Sequence, residues 1–475
     1  MKFTQNIFFV IAFVLLNGGE IFPQNVAEFG HHIITLEQFK TAYLDIIKKP
    51  NVYDSKELRE EFLNELIASK ILAEEAAKSG YNENLLLEYK IDAYKNKCLR
   101  DAHYETVIKP KISISEADVE NAYLFTQEER RISQLFVKTK EEADSLYKQL
   151  KQGKTFNELA KVIFADTALA NNSGDLGWVY WDQLDYDLAD AAFKLPLNKI
   201  SEPVKSIFGY HIIKVTDFKK KPLITRREYE VHRKKAKYLL EYKIGEKYSY
   251  EYIDAMLKSA DIIIYPEVMK LVDEKLSDKF KRKPTDVDQM YELQLRDEEV
   301  KVVETNLWDY RDQIMAMING EKLTVGDFIG LLNFVGYDVI YSGFKNTFDY
   351  TVRDFLLTSE AKKLSLESDE KVKMKTNLYR EFLLQLEFRK SLIENVNVSE
   401  EEIQKLYDES KSKFNGASFE QMKEILKGFI TNQKRRDVVP KYVNSILNSY
   451  VIKKDLQLIH DYYDSILKGN TINSR

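Results

Sequence analysis

The sequence predicts a mainly α-helical chain that carries one inserted α+β block. Turn residues are scarce, with 17 Gly and 9 Pro among 475 residues, about half the usual share. Four landmarks recur in the same order in the two halves of the chain. Within the first half, and nowhere in the second, the apolar period changes from helical to strand-like. Hydrophobic content of 44% and aromatic content of 12% exclude wholesale disorder. The length suits roughly three domains. Lys+Arg 71 against Asp+Glu 76 leaves a net charge of -5, which gives no general drive towards nucleic acid. The single cysteine, Cys98, excludes an internal disulfide and a cysteine zinc site. No Walker A loop and no GxGxxG after a strand is present, so no nucleotide cofactor is expected.

The elements follow in order. Residues 1–24 read as a secretory signal peptide: Lys2 supplies the positive start and Ile7 to Leu16 an unbroken apolar run. Ten helical residues span about 15 Å, too short for a bilayer core of about 30 Å. Cleavage is expected between Gly18 and Gln24. Thr35 of IITLEQF and Thr324 of EKLTVGDF are each placed to N-cap a helix with an acid in its first turn. Leu58, Phe62 and Leu66 recur every four residues, and Gly80 is a stop signal. The counterpart runs from Phe348 through Phe355 to Ala361. Ser115 of ISISEADVENAY matches Ser399 of VNVSEEEIQKLY, both as caps with acids behind them. Tyr252 matches Tyr442. Ser399 minus Ser115 is 284 and Tyr442 minus Tyr252 is 190, so the first half carries 94 extra residues between those landmarks. The insertion lies between about Phe125 and Arg227. Asp278 to Gln289, charged and holding a Pro, reads as the linker between the halves.

Inside the insertion, Arg130 to Val137 reads as a strand. Two helices follow, broken at Gly153, and GDLGWVYW then brings turn glycines and aromatics. Leu184, Leu188 and Ala192 share one helical face. Pro203 to Val215 reads as a paired strand ending that bends at Gly209. An antiparallel sheet with helices packed on it is expected.

GDLGW (174–178), Ala191-Ala192-Phe193, Ile200-Ser201-Glu202-Pro203-Val204 and Phe208-Gly209-Tyr210-His211-Ile212-Ile213 stand in one order over about 90 residues. In these motifs the block resembles the parvulin family of peptidyl-prolyl cis/trans isomerases. The flanking helical segments resemble, by pattern, the chaperone region of exported SurA- and PrsA-type foldases. The resemblance implies a four-stranded antiparallel sheet with surrounding helices, set in a mainly helical chaperone body. With the repeat offsets and the linker, the expected division is 25–128, an N-terminal helical segment; 129–219, the parvulin domain; 220–290, a helical segment completing the first module; and 291–475, a second helical module with no insertion.

The resemblance also assigns the site. Leu176, Leu184, Leu188, Phe193 and Phe208 would meet the substrate proline. His211, Gln134, Asp166, Thr167 and Ser206 would form the polar, catalytic side. Gln134 stands where the family usually has a histidine, and Thr167 follows Asp166 where the loop often has Cys or Asp. Gln134 can hydrogen-bond to His211 but cannot titrate near neutrality. No cofactor and no metal is expected. His31-His32 has no further His or Cys near it in sequence. The expected function is an exported isomerase and chaperone for unfolded or proline-containing secreted or outer-membrane polypeptides. The expected location is the periplasm or the outer-membrane surface, with peripheral contact to envelope machinery. The alternative is a non-catalytic holdase that uses a degenerate parvulin domain to bind peptide. A structural scaffold of the envelope is a third possibility.

Overall fold

The computed structural model describes residues 24–472 except 50, 207, 222–224, 278–296, 336–338 and 341–342. The expected signal peptide and the expected linker at Asp278 to Gln289 lie outside the described residues. The chain divides into two compact units, one formed by 1–88 with 374–466 and the other by 89–373 with 467–475.

Strands β1 (Asn25–Phe29) and β2 (His32–Thr35) form an antiparallel hairpin. Thr35 ends it and caps α1 (Leu36–Ile47): its hydroxyl accepts the Gln38 N–H, and the Gln38 side chain accepts the Thr35 N–H. Ser55 caps α2 (Lys56–Lys78), which ends two residues before Gly80. Helix α3 (Leu85–His103) follows, and Ser115 caps α4 (Glu116–Phe125) in a capping box with Asp118.

The insertion then opens with β3 (Glu128–Val137), α5 (Lys140–Lys151), α6 (Phe156–Ile163), α7 (Thr167–Asn171) and β4 (Asp175–Tyr180). It closes with α8 (Tyr186–Lys194), β5 (Val204–Lys205) and β6 (Tyr210–Lys220). The four strands form an antiparallel sheet in the order β4-β3-β6-β5. Side chains alternate between its faces. Leu135 and Ile212 point to α5 and α6, where they meet Leu146, Leu150 and Leu159. Ile132, Ile213 and Val215 point the other way, to Leu188, Ala189, Ala192 and Phe193 of α8.

That second core does not stop at the insertion. Ala122 and Phe125 of α4 belong to it, as do Leu240 and Ile244 of α9 (Arg226–Ser259). Helices α4 and α9 are also tied outside the core, by the Tyr229 hydroxyl donating to Glu116 at 2.5 Å and by the Arg233–Glu116 ion pair. The segments on either side of the insertion therefore pack on each other.

Strand β7 (Ile262–Ile264), α10 (Pro266–Ser277) and α11 (Asp297–Leu307) lead to a second hairpin, β8 (Ile314–Ile318) and β9 (Glu321–Thr324). Thr324 caps α12 (Val325–Leu332) in a capping box with Asp327, as Thr35 caps α1. Helices α13 (Phe344–Lys363) and α14 (Glu370–Glu394) follow. Ser399 caps α15 (Glu400–Ser410) with Glu402. Helix α16 (Phe419–Leu447), β10 (Ile452–Lys454) and α17 (Leu456–Ile472) complete the described chain.

The sequence places no strands outside the insertion, yet each unit holds a three-stranded sheet. The orders are β10-β1-β2 and β7-β8-β9. Each hairpin is thus completed by the strand that closes the other half of the sequence. Strands of three to five residues, with partners this distant, leave no local period to read.

Candidate functional site

Of the site candidates, Gln134, His211 and Ser206 come together at one end of the four-stranded sheet. Gln134 and Phe136 of β3 and His211 of β6 lie on the face that α8 covers. Phe136 stands directly opposite His211, with their rings 4.9 Å apart. Gln134 Oε1 lies 2.7 Å from His211 Nδ1. A carbonyl oxygen only accepts, so Nδ1 carries the proton and Nε2 is left as an acceptor. The Ser206 hydroxyl, 2.7 Å from Nε2, donates to it. Ser206 Oγ in turn accepts the Phe208 N–H at 3.0 Å. Gln134, His211 and Ser206 form one satisfied chain around a neutral imidazole. His211 is 5% exposed, and burial alone pushes its pKa down to about 4.

Two glycines make this placement possible. Gly174 has φ 69, and a Cβ there would lie 2.0 Å from the Gln134 carbonyl oxygen. Its own carbonyl accepts the Gln134 N–H at 2.9 Å, which fixes Gln134 on β3. Gly209 has φ 149, and a Cβ there would lie 2.5 Å from the Val137 carbonyl oxygen. A side chain at Gly174 would push β4 off β3, which carries Gln134, and one at Gly209 would push β6, which carries His211, off β3. Ser201 of the ISEPV segment bonds twice to β6: its N–H donates to the Ile213 carbonyl, and its hydroxyl oxygen accepts the Ile213 N–H, both at 2.8 Å.

The apolar candidates separate into three environments. Leu188 and Phe193, 5% and 1% exposed, are buried in the core beneath the sheet. Phe193 packs on Phe125 and under Arg130, so it offers no surface to a ligand. Leu184 is half-buried at the edge of the same cluster. Leu176 and Phe208 are exposed. Asp166 and Thr167 are exposed on the loop that starts α7. There Asp166 accepts the Leu169 N–H at 2.9 Å as an N-cap. That backbone N–H, rather than His211, is what its carboxylate holds.

Several residues that hold the site have no motif signal. Arg130 donates to the Ala192 and Leu195 carbonyls at 2.8 Å each, closing the C-terminus of α8. Lys243 of α9 donates to the Leu184 carbonyl and lies 5.0 Å from the Trp181 ring centroid. Lys247 reaches Asp187 at 2.6 Å. These two lysines bring a helix from outside the insertion onto the segment that bears Leu184 and Leu188.

Comparison with known proteins places this geometry. The PPIC-type PPIase domain family matches residues 110–219, a span that takes in α4 as well as the sheet. The chain is 32% identical over 185 residues to a parvulin-like PPIase of Rickettsia typhi, covering 38% of this chain and 64% of that protein. It is 31% identical over 227 residues to the foldase protein PrsA of Bacillus subtilis, covering 44% of this chain and 75% of that protein. The chain thus spans a little under two thirds of the rickettsial protein. A solved SurA-like chaperone of Campylobacter jejuni is similar at 22% identity, covering 51% of this chain and 99% of that one, with a TM-score of 0.23.

Proposed function

We propose that this chain, which belongs to the parvulin-type foldase family, accelerates cis/trans isomerisation of X-Pro bonds in exported polypeptides and holds those polypeptides while they fold. The observation that carries the proposal is the Gln134–His211–Ser206 chain on the sheet face that α8 covers. An X-Pro bond turns over a barrier of about 20 kcal/mol because the twisted amide loses its resonance. Lowering that barrier requires no proton transfer and no covalent intermediate. It requires an apolar seat for the proline ring and a fixed polar edge that favours the twisted amide. Leu176, Leu184 and the exposed Phe208 are the apolar surface on offer. Leu188 backs Leu184 from below. Ser206 and His211 supply the polar edge, oriented in advance and neutral. By the family resemblance, Asp166 and Thr167 are assigned to the polar side as well.

The holding activity is assigned to the helices outside the insertion, where α9 exposes Val231, Tyr238 and Tyr242. Residues 129–219 act in this proposal as the isomerase module, with 25–128, 220–290 and 291–475 as the helical segments around it. The site of action is the periplasm or the outer-membrane surface, consistent with the expected signal peptide. No described helix is long and apolar enough to cross a membrane.

A protease-coupled isomerase assay on the full chain tests the proposal. X-Pro turnover above the uncatalysed rate, lowered by Leu184→Ala, is expected. A folded chain with no turnover that still suppresses aggregation of an unfolded client would establish the holdase alternative. That alternative draws on the burial of Leu188 and Phe193, which leaves a shallow seat.

A further inference from the structure

The hairpin β1–β2 turns through Gly30 and His31, so His31 sits at its tip and His32 opens β2. Their rings lie 4.1 Å apart. Helix α2 of the same unit presents Glu74 to both. His32 Nε2 is 2.6 Å, and His31 Nε2 3.7 Å, from the same oxygen, Glu74 Oε2. One donor atom from each of the three residues lies within 4.8 Å of the others. The sequence offered only the adjacent histidines, and the fold adds a carboxylate 42 positions away.

The second carboxylate oxygen is already taken. Lys78 donates to Glu74 Oε1 at 2.8 Å. This leaves Oε2 turned towards the imidazoles. Phe29, with its ring 5.0 Å from that of His32, fixes the inner imidazole from the other side. His31 is 71% exposed at the side chain, so solvent reaches the cluster.

The second half of the chain shows what the hairpin itself needs. Aligned on the capping Thr35 and Thr324, positions 30–32 correspond to Asn319, Gly320 and Glu321. That hairpin closes through Asn-Gly, a strong turn signal. Its Glu321 also touches the following long helix, accepting from the Ser359 hydroxyl at 3.1 Å. A hairpin-to-helix contact is therefore common to both units, while the pair of imidazoles is not. Neither the turn nor the contact requires histidine.

We infer that His31, His32 and Glu74 form a binding site for a divalent transition-metal ion of the zinc class. Two imidazoles and one carboxylate suit Zn²⁺, Ni²⁺ or Cu²⁺ and disfavour Mg²⁺. Bonds of about 2.0 Å in a tetrahedral site set ligand atoms roughly 3.3 Å apart. The 3.7 Å spacing is close to that value, and the 2.6 Å hydrogen bond must open by roughly 0.7 Å. Three protein ligands leave a position for water or for a donor from a partner. Lys78 would act from behind as a positioning residue for Glu74. A bound ion would clamp the β1–β2 hairpin to α2.

The test is isothermal titration of the full chain, free of any affinity tag, with Zn²⁺ and with Mg²⁺, alongside thermal melting in each. Saturable Zn²⁺ binding at one ion per chain, no Mg²⁺ binding, and a melting temperature raised by Zn²⁺ are expected. His31→Ala and Glu74→Gln should each weaken Zn²⁺ binding by about tenfold or more and reduce that rise. His31 is exposed, so His31→Ala keeps the test open should Glu74→Gln fold poorly. No saturable binding by the folded chain, or unchanged affinity in a folded variant, overturns the inference.

Discussion

Lys243 of α9, 4% exposed, donates its ammonium to the backbone carbonyl oxygen of Leu184. The donor lies outside the insertion and the acceptor belongs to the proposed proline seat, 59 positions earlier. Burying an ammonium is costly, and burial holds the Lys243 pKa below its usual value. The Trp181 ring face and the nearby Asp185 offset part of that cost. The arrangement links the helical body to the geometry of the seat.

Lys243→Met should therefore impair catalysis without contacting substrate. It keeps the stem packing and removes the donor. The Leu184 carbonyl then lacks its partner, at a stability cost of about 1–3 kcal/mol. X-Pro turnover by the full chain is expected to fall roughly tenfold, as a displaced seat would produce. Circular dichroism at the assay temperature checks that the variant is folded. Full activity in a folded Lys243→Met chain would show that α9 does not position Leu184.

Leu184→Ala and His211→Ala separate shape from polar chemistry. Emptying a buried leucine costs roughly 2–5 kcal/mol, and the half-buried Leu184 belongs at the low end. If the twisted amide is favoured mainly by shape, Leu184→Ala lowers kcat/KM more than His211→Ala does. The comparison is made by protease-coupled assay at matched folded fraction. A larger loss in His211→Ala would assign the main contribution to the imidazole.

The pH response follows from the buried neutral His211. Its pKa is about 4 in the folded chain, against about 6.5 when unfolded. Between those values the unfolded state binds more protons, so stability rises with pH across that window and is level above it. The contribution present above pH 6.5 is lost as pH falls towards 4, with a ceiling of about 3 kcal/mol. Urea midpoints measured from pH 4 to 8 should show this slope, and His211→Gln should flatten it. Isomerase activity should vary little between pH 6 and 8, since no group in the Gln134–His211–Ser206 chain titrates there. A bell-shaped profile with two limbs inside that range would instead indicate general acid–base work.

Much of the insertion was legible in the sequence because its signals are local. The β3 run and the helix-capping Thr and Ser residues act within a few positions of themselves, and Gly174 and Gly209 are marked by the motifs that contain them. His211 and Gln134 came from motif alignment, and their hydrogen bond follows from strand pairing. Lys243, Glu74 and β10 were not legible. Each acts on a residue that only the tertiary fold brings near: Leu184, His32 and Phe29. A lysine in a charged amphipathic helix reads as solvated until the carbonyl it serves is known. The burial of Phe193 was equally hidden, because Phe125 and Arg130, which cover it, come from other elements.

Arg59 sets the stability of the unit formed by the chain ends. Its guanidinium, 2% exposed, is held by Asp54 at 2.8 and 2.5 Å and by Asp464 at 2.9 Å. Asp54 also accepts the Tyr43 hydroxyl at 2.8 Å. Arg59→Ala leaves Asp54 without its two guanidinium bonds beside a cavity, with only the Tyr43 hydroxyl still donating to it. Breaking a buried pair from one side costs about 3–5 kcal/mol. Urea unfolding followed by tyrosine fluorescence should show a loss of that order, while Lys56→Ala, at an exposed residue nearby, should cost under about 1 kcal/mol. A loss below 1 kcal/mol for Arg59→Ala would mean that the network is solvated.

The exchange of closing strands makes the first residues of the domain depend on the last. Phe29, Glu28 and Ala27 pair with Ile452, Lys453 and Lys454, and the Asp455 N–H donates to the Val26 carbonyl at 2.9 Å. Ile459, fully buried, packs in the same core as Val26, Phe29 and Phe39. Ile459→Asp places an uncompensated carboxylate there, which the core cannot solvate. The unit should loosen where β10 and α17 meet β1, so residues 25–47 should become open to protease. Residues 128–220 should stay protected, because their two cores contain no residue of β10 or α17. Limited proteolysis read by mass spectrometry distinguishes the cases. Early cuts within 25–47, with isomerase turnover retained, are expected. If instead the new cuts fall only after residue 448 and the hairpin stays intact, β1 and β2 hold without their distant third strand.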